Sequence, residues 1–259
     1  MTAITVRNLW KEYGDRIILE RVNLDIVSGA FVSLVGPSGC GKSTFLRMLM
    51  GQERPTKGQI LLGGQDLPCE PDADRGVVFQ RYSVFQHLTV LENVLLPFEL
   101  EQSRWLGRLF GAAKQTARAK ALALLEGVGL AQHCSQYPGA LSGGMQQRLA
   151  LVQAVARQPK VLLLDEPFGA LDPGTRLSMH ELMRGIWAES GMTILMVTHD
   201  LKEAFALGTR VIAFDRVRRD PHAPERYGAT ATYDLIPDRL SQMERGVVAH
   251  SHMSAISAR

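Results

Sequence analysis

The stretch AFVSLVGPSGCGKSTFLRMLM, residues 30–50, decides the fold. An apolar run leads into a glycine-rich loop, residues 36–44, and then into a helical pattern. The loop matches G-x-x-x-x-G-K-[ST] at Gly36, Gly41, Lys42 and Ser43. Glycines let such a loop curl, so that backbone N–H groups and the positive end of the next helix face phosphate oxygens. We therefore predict a phosphate site in which Lys42 supplies a charge and Ser43 a hydroxyl for Mg²⁺.

The bulk composition suits a globular protein and excludes little else. Of the 259 residues, 46% are hydrophobic, and 29 basic against 26 acidic side chains leave a formal charge of +3. This excess is too small to indicate nucleic acid or an anionic membrane. The three cysteines, Cys40, Cys69 and Cys134, form no C-x-x-C pair, which favours a reducing cytosol. No signal-peptide core and no apolar run near the roughly 20 residues that span a bilayer is apparent, so any membrane role is expected to be peripheral.

Short apolar strands alternate with helical patterns, which predicts an α/β fold with a mostly parallel sheet. The candidate strands are ITVRNL, AFVSLVG, GVVFQ, KVLLLDE, TILMVTH and RVIAFD. Residues of about 83–158 have helical periodicity and are expected to form an inserted helical subdomain. We assign residues 1–215 to one domain and residues 216–259, rich in proline, charge and small residues, to an extended tail.

Polar residues follow several of these strands, at the carboxyl edge where ligands of open α/β sheets bind. Asp165 is expected to hold Mg²⁺ through its water shell, and Glu166 to orient and deprotonate the attacking water. His199 is placed to reach a γ-phosphate, and the Gln80 amide to join the Mg²⁺ shell. Alternatively, Glu166 is a solvated loop carboxylate, His199 is structural, and Gln80 is only a polar strand terminus.

A second glycine-rich helix start, LSGGMQQR at residues 141–148, completes an ordered set of motifs. With GPSGCGKST, Gln80, VLLLDEP, ALD at residues 170–172 and His199, the chain resembles the ATP-binding subunit of an ABC transporter over about residues 3–215. The fold implied is a P-loop ATPase core with a small N-terminal antiparallel β portion. No guanine-reading N-K-x-D motif occurs, which agrees with ATP.

The resemblance implies which residues bind ATP and Mg²⁺. Lys42, Glu166 and His199 are expected to be catalytic, and Ser43, Gln80 and Asp165 to hold the metal. Tyr13 matches the aromatic residue that stacks on adenine; Trp10 is an alternative, and Tyr13 can also be simple core packing. The remaining nucleotide contacts come from the phosphate loop, the signature and the D-loop: Gly36, Pro37, Ser38, Gly39, Cys40, Gly41, Thr44, Ser142, Gly143, Gly144, Gln146 and Asp172.

The partners implied are a second ATPase subunit, an integral-membrane permease and, indirectly, an extracytoplasmic solute-binding protein. Each ATP would lie between one subunit's phosphate loop and the other subunit's signature helix. Tyr82, Phe85 and Leu88 would contact a coupling helix of the permease, or else pack the junction of the lobes. The finer resemblance is to importers of the nitrate, sulfonate and taurine group, with a tail similar to a branch associated with urea carboxylase. This places the chain at the cytoplasmic face of the inner membrane.

Two other functions are compatible with an ATPase core. A soluble mechanical ATPase acting on DNA or ribosomes would be expected to have tandem cores, a coiled-coil insertion or a basic arm. This sequence has only a short basic cluster, Arg216, Arg218 and Arg219, so we predict no nucleic-acid partner. A nucleotide-binding regulator without turnover would not need Glu166 and His199.

Overall fold

The computed structural model of the protein describes residues 2–68, 72, 74–79, 84–102, 109–218, 220–223 and 225–237. Ten strands form within these ranges: β1 Thr2–Tyr13, β2 Arg16–Val27, β3 Phe31–Val35, β4 Lys57–Leu62, β5 Gln65–Asp66, β6 Arg75–Val78, β7 Val161–Asp165, β8 Thr193–Val197, β9 Arg210–Asp215 and β10 Thr230–Leu235. The α-helices found there are α1 Lys42–Leu49, α2 Val90–Gln102, α3 Gly111–Gly127, α4 Gly143–Val155, α5 Pro173–Ser190 and α6 Leu201–Leu207. No helix in this described part is long and apolar enough to cross a bilayer.

The chain divides into two compact units. Unit 1 comprises residues up to Asp72 together with those from Gly191 onward, and unit 2 comprises Ala73–Ser190. Each of the six predicted strands forms, as β1, β3, β6, β7, β8 and β9. The pairs β3–β8, β3–β9 and β6–β7 are parallel, so the predicted α/β class with mostly parallel strands is confirmed.

Parallel strands make up the core of unit 1. β3 and β8 are buried at every position, as expected for strands covered on both faces. β9 lies on the other side of β3, and the helices α1 and α6 pack on this group. In α1, the ring of Phe45 lies 5.4 Å from that of Phe214 in β9. The loops after β3 and β8 therefore leave the same edge, because parallel neighbours end on the same side.

Unit 1 also contains an antiparallel sheet in the order β2-β1-β4-β5, and β2 is its edge strand. The N-terminal antiparallel portion was predicted, but β2, β4 and β5 were not among the candidate strands. After Asp215 the chain returns to form β10, which pairs antiparallel with β9. This strand was not predicted either, because the stretch 216–229 before it contains prolines and charges that mask the short pattern TATYDL.

In its described residues unit 2 holds the parallel pair β6–β7 and the α-helices α2, α3, α4 and α5, and no strand occurs in the described part of 84–158. α3 ends at Gly127, and α4 begins after the Ser142 cap. α2 begins with a capping box in which the Thr89 backbone N–H donates to Glu92 Oε2 at 2.8 Å, and the Glu92 N–H to Thr89 Oγ1 at 3.3 Å.

The close approach of β4 to β1 gives a test of the antiparallel sheet. Gly58 in β4 has a φ of 83°, and a Cβ there would overlap the carbonyl oxygen of Asn8. We expect Gly58→Ala to lower the free energy of unfolding by roughly 3 kcal/mol, because backbone strain and overlap add together. Chemical denaturation measures the loss.

Gly63→Ala is the matched control for this substitution. Gly63 also has a left-handed φ, 58°, but a Cβ there meets nothing within 4 Å. It should cost only about 1 kcal/mol, the conformational penalty alone. Equal losses in the two variants would contradict the steric account.

Candidate functional site

The phosphate loop, residues 36–44, leaves β3 and enters α1. Gly36 and Gly41 have φ values of 149° and 95°, which favour glycine. A Cβ on Gly36 would overlap the carbonyl oxygen of Phe214 in β9. A Cβ on Gly41 would lie 2.8 Å from Leu19 Cδ2 in β2. Glycine is therefore required at both places, because strands press directly on the loop backbone.

The Lys42 side chain is enclosed by the loop that precedes it. Its ammonium group donates to the carbonyl oxygens of Gly36 at 2.7 Å and Pro37 at 2.9 Å, and the residue is only 7% exposed. These bonds satisfy a buried charge. The next residue, Ser43, is exposed in the first turn of α1. The loop thus brings together a positive charge, an exposed hydroxyl and a helix N-terminus, which is the chemistry of a phosphate site.

Tyr13 lies at the end of β1 and is tied to the phosphate loop. Its hydroxyl donates to Glu53 and shares a hydrogen bond with Thr44. Burial and the Glu53 carboxylate raise the pKa of Tyr13 above its usual value. Glu53 in turn pairs with Lys11 and, at 2.8 Å, with Arg47 of α1. Because Tyr13 is nonetheless 45% exposed, part of its ring is accessible to a ligand.

Trp10, the alternative aromatic residue, is in a different setting. The Lys57 ammonium lies 5.2 Å from its ring centroid and the Arg21 guanidinium 5.8 Å. Its indole N–H donates to Asn8 Oδ1 at 3.2 Å. The Tyr13 ring also meets a cation of unit 1, since the Lys11 ammonium lies 4.8 Å from its centroid, but Tyr13 is exposed and Trp10 is half-buried, which favours Tyr13 for stacking.

His199 follows β8 and is exposed, at the same sheet edge as the phosphate loop. The turn around it is held by the buried Thr198, whose backbone N–H donates to the Leu34 carbonyl at 3.1 Å. The Thr198 hydroxyl donates to the buried carboxylate of Glu203 in α6 and accepts from the Asp200 N–H at 3.1 Å. His199 therefore projects from a turn with a defined backbone position.

In unit 2, β7 ends at Asp165 and is followed by Glu166, and both residues are half-buried. Glu166 has a φ of 46°, a left-handed conformation that is uncommon for a residue with a side chain. The adoption of such a conformation directly after a buried strand turns the chain sharply. Strain of this kind clusters at functional sites.

The signature segment begins α4. Ser142 caps this helix by accepting from the Met145 N–H at 3.3 Å, and it is exposed. A Cβ on Gly144 would lie 2.5 Å from Thr175 Cγ2 in α5, so this glycine is also required by packing inside unit 2. The Gln146 amide donates to the Leu141 carbonyl at 3.2 Å. Gly143 and Ser142 are exposed, and thus accessible to a partner.

Asp172, in the predicted D-loop, caps α5. Its Oδ1 accepts from the Thr175 N–H at 3.0 Å, and hydrogen bonds from Thr175 lower the pKa of Asp172. Thr175 therefore contacts both the D-loop aspartate and the signature glycine Gly144. A displacement of the D-loop or of the signature segment would therefore be transmitted to the other through Thr175.

Unit 1 joins the phosphate loop, Tyr13 and His199, and unit 2 holds Asp165, Glu166, the signature residues and Asp172. Two of the predicted residues, Gln80 and Tyr82, lie outside the described residues. Sequence reasoning missed three residues that hold these groups in place, Glu53, Thr175 and Glu203. Only Glu203 had a signal, since it follows Asp200 by three residues as in a capping box.

Comparison with known proteins identifies the family. The ABC transporter model matches residues 19–169. The spermidine/putrescine import ATP-binding protein PotA 1 of Pseudomonas aeruginosa is 46% identical, over 81% of this chain and 57% of its own length. The aliphatic sulfonates import ATP-binding protein SsuB 3 of Pseudomonas savastanoi pv. phaseolicola is 42% identical, over 82% of this chain and 73% of its own length.

A solved structure agrees with these matches. It is a dimeric ATP-binding cassette in a post-hydrolysis state bound to ADP and Pi, 31% identical to this chain, with a TM-score of 0.72. The match covers 90% of this chain and 98% of that one. The chain therefore belongs to the ABC transporter family, as an ATP-binding cassette.

The phosphate loop contains a thiol whose reactivity tests the loop geometry. Cys40 is 5% exposed, and burial raises the pKa of its thiol. Because the thiolate is the nucleophile, we expect iodoacetamide at pH 8 to alkylate Cys40 at least about tenfold more slowly than the half-buried Cys134. The rate should keep rising with pH above the ordinary thiol range.

Peptide mass spectrometry after timed quenching, in a Cys69→Ser background, measures both rates in one sample. Unfolding in urea is the control, since it should make the two rates equal. Equal rates in the folded protein would show that the loop does not bury Cys40.

Proposed function

We propose that this chain is the ATP-hydrolysing subunit of an importer for a small solute that is polar or contains nitrogen or sulfur. The observation that carries the proposal is the phosphate loop, with the Lys42 ammonium enclosed by it and an exposed Ser43 beside it. Membership of the ABC transporter family supports ATP as the nucleotide. The import functions in the names of the two relatives support the direction of transport.

In this proposal the ATP phosphates bind across the N–H groups of residues 36–44 at the N-terminus of α1. The Lys42 ammonium exchanges its bonds to loop carbonyls for bonds to phosphate oxygens, which replaces weak acceptors by charged ones. Tyr13, already fixed through Glu53 and Thr44, offers its exposed ring to the adenine.

The oxygen donors available suit Mg²⁺, a hard cation that binds hydroxyl and carboxylate groups. We assign the exposed Ser43 hydroxyl as a ligand and the Asp165 carboxylate as a group that would hold the ion through its water shell; the Gln80 amide, outside the described residues, would join that shell. Bound Mg²⁺ would neutralise negative charge that develops on the phosphate oxygens during transfer.

Hydrolysis needs a base, a polarising group and an aligned water. Glu166 accepts the proton of the water that attacks the γ-phosphorus, while the bond to the bridging oxygen of ADP breaks and releases Pi. His199 donates a hydrogen bond to the γ-phosphate and holds the water in line. Lys42 stabilises the charge that moves toward the β-phosphate side.

The signature residues Ser142, Gly143, Gly144 and Gln146 are assigned to the ATP of a second subunit, with Asp172 at the dimer interface. The exposed α4 N-terminus supports this assignment, as does the dimeric state of the solved relative. ATP shared between two subunits closes the dimer, and hydrolysis removes the shared charge so that it opens. This motion is what drives the permease.

The permease would contact the segment before α2. There Phe85 is 42% exposed, and the buried Asn93 side chain accepts from the Phe85 N–H at 2.8 Å and donates to the Leu88 carbonyl at 3.1 Å. Because the Asn93 side chain fixes the backbone of this segment, the segment can transmit a displacement of unit 2 without changing its own conformation. With a permease and an extracytoplasmic solute-binding protein as partners, the chain works as a peripheral protein at the cytoplasmic face of the inner membrane.

Replacement of the assigned base separates binding from turnover. We expect Glu166→Gln to retain the MgATP affinity of the parent within about threefold, but to lose roughly a hundredfold or more in turnover, since glutamine cannot accept the proton. Proteoliposomes with a candidate permease should show ATP-dependent solute uptake with the parent and none with this variant. Turnover at the parent rate would disprove the base assignment, and failure to associate with any permease would disprove the import function.

Substitution at the signature tests the shared site. Ser142→Arg should leave MgATP binding to the monomer unchanged, yet abolish ATP-driven dimerisation and turnover, because it places bulk and charge on the exposed start of α4. Analytical ultracentrifugation with and without ATP measures the effect.

Ser142→Ala is the control, since it removes only the cap on Met145, worth about 1 kcal/mol of helix stability. Ser142→Ala should therefore dimerise with ATP to an extent closer to that of the parent than Ser142→Arg does. Loss of monomer affinity in Ser142→Arg would assign the signature to the subunit's own nucleotide instead.

A further inference from the structure

The chain after β9 covers the exposed edge of β2. Residues 225–229, here called the C-terminal strap, run beside Ile17–Glu20 and make three backbone hydrogen bonds with them. The Ile17 N–H donates to the Glu225 carbonyl at 3.0 Å. The Ala229 N–H donates to the Ile18 carbonyl at 2.9 Å, and the Ala229 carbonyl accepts from the Glu20 N–H at 2.9 Å. An otherwise open sheet edge is thereby paired.

The Glu20 carboxylate fastens the strap. It is largely buried, it accepts from the Gly228 N–H at 3.3 Å, and it forms an ion pair with Arg218. The Arg218 guanidinium also lies 4.4 Å from the ring centroid of Tyr227. Gly228 permits the close approach, because a Cβ there would lie 2.8 Å from both Ile17 Cγ2 and the Leu19 carbonyl carbon.

The part of β2 that the strap covers is also the part that supports the phosphate loop. The side chains of Ile18 and Leu19 would lie 2.9 Å and 2.8 Å from a Cβ at Gly41, and both residues are buried. Beyond the strap, β10 pairs with β9, whose Phe214 carbonyl presses on Gly36. The C-terminal segment thus joins the two strands that hold the two ends of the phosphate loop.

We propose that Glu20 is a positioning residue for nucleotide binding, which acts by holding the C-terminal strap on β2 and so fixing the backbone of Gly41. The proposal rests on the proposed ATP site. Glu20 touches no nucleotide in it. Its contribution is to keep the loop N–H groups in the arrangement that phosphate oxygens need, so that less ordering has to accompany binding.

The test compares variants of the full chain by calorimetric titration with MgATP and by steady-state kinetics. Glu20→Gln removes the ion pair, and Gly228→Ala blocks the close approach without a change of charge. Both variants should weaken MgATP binding by up to about tenfold. This is the change in affinity expected if the free energy of one charge-assisted hydrogen bond is lost from binding. KM should rise while kcat at saturating ATP stays within about twofold, because the groups assigned to chemistry are intact.

Asp234→Asn is the matched control. Asp234 in β10 accepts a hydrogen bond from Arg210 Nε at 2.7 Å. Arg210 lies at the start of β9, and this pair is therefore at the sheet edge opposite the phosphate loop. The substitution should lower the unfolding temperature comparably but leave the MgATP affinity within about twofold. Amide hydrogen exchange should rise in residues 36–44 for Glu20→Gln and Gly228→Ala, but not for Asp234→Asn. If Glu20→Gln folds poorly, Arg218→Ala removes the same ion pair from its other side. The Arg218 side chain is half exposed, so its loss should disturb folding less.

Three outcomes would overturn the proposal. A parent protein that binds no MgATP would remove the proposed function and the role of Glu20 together. Normal binding by the parent and by both strap variants would remove the role of Glu20 alone. An equal loss of affinity in Asp234→Asn would show that general destabilisation, and not the strap, controls the phosphate loop.

Discussion

The direct packing of two strands on the glycines of the phosphate loop is the constraint on which the rest of unit 1 depends. At Gly36 and Gly41 no side chain can be accommodated, since β9 and β2 occupy the space. The packing of these two strands therefore restricts the backbone conformation of the loop. The buried Lys42 ammonium, bonded to carbonyls of the same loop, adds a second restraint from within.

The supports of the other candidate groups follow a common pattern. Tyr13 is held by Glu53, the turn before His199 by Thr198 and Glu203, and the signature glycine Gly144 by Thr175. In each case a residue outside the recognised motifs fixes one inside it. Such preorganisation lowers the conformational cost of nucleotide binding. More of the binding free energy is then available to change the affinity of the two subunits for each other.

The local part of this architecture was predictable, and the non-local part was not. The six strands, the α4 cap at Ser142 and the strand–loop–helix around Lys42 follow from periodicity and from residues that are neighbours in the chain. Glu53 and the contact of Thr175 with Gly144 could not be found in this way, because these contacts are fixed by packing between elements; only the bond from Thr175 to Asp172 is local. β10 was missed for a related reason: its six residues form a strand only because β9 offers an edge.

The pairing of the C-terminal strap with β2 has a consequence for how the protein is made. Glu20 and Gly228, which meet through a hydrogen bond, are 208 positions apart. Synthesis proceeds from the N-terminus, so the edge of β2 emerges long before its cover, and this contact contributes one of the longest loop closures in the fold. The support behind Gly41 is completed only after residues 225–229 have left the ribosome. A truncated chain would thus carry every nucleotide motif and still have an open strand beside its phosphate loop.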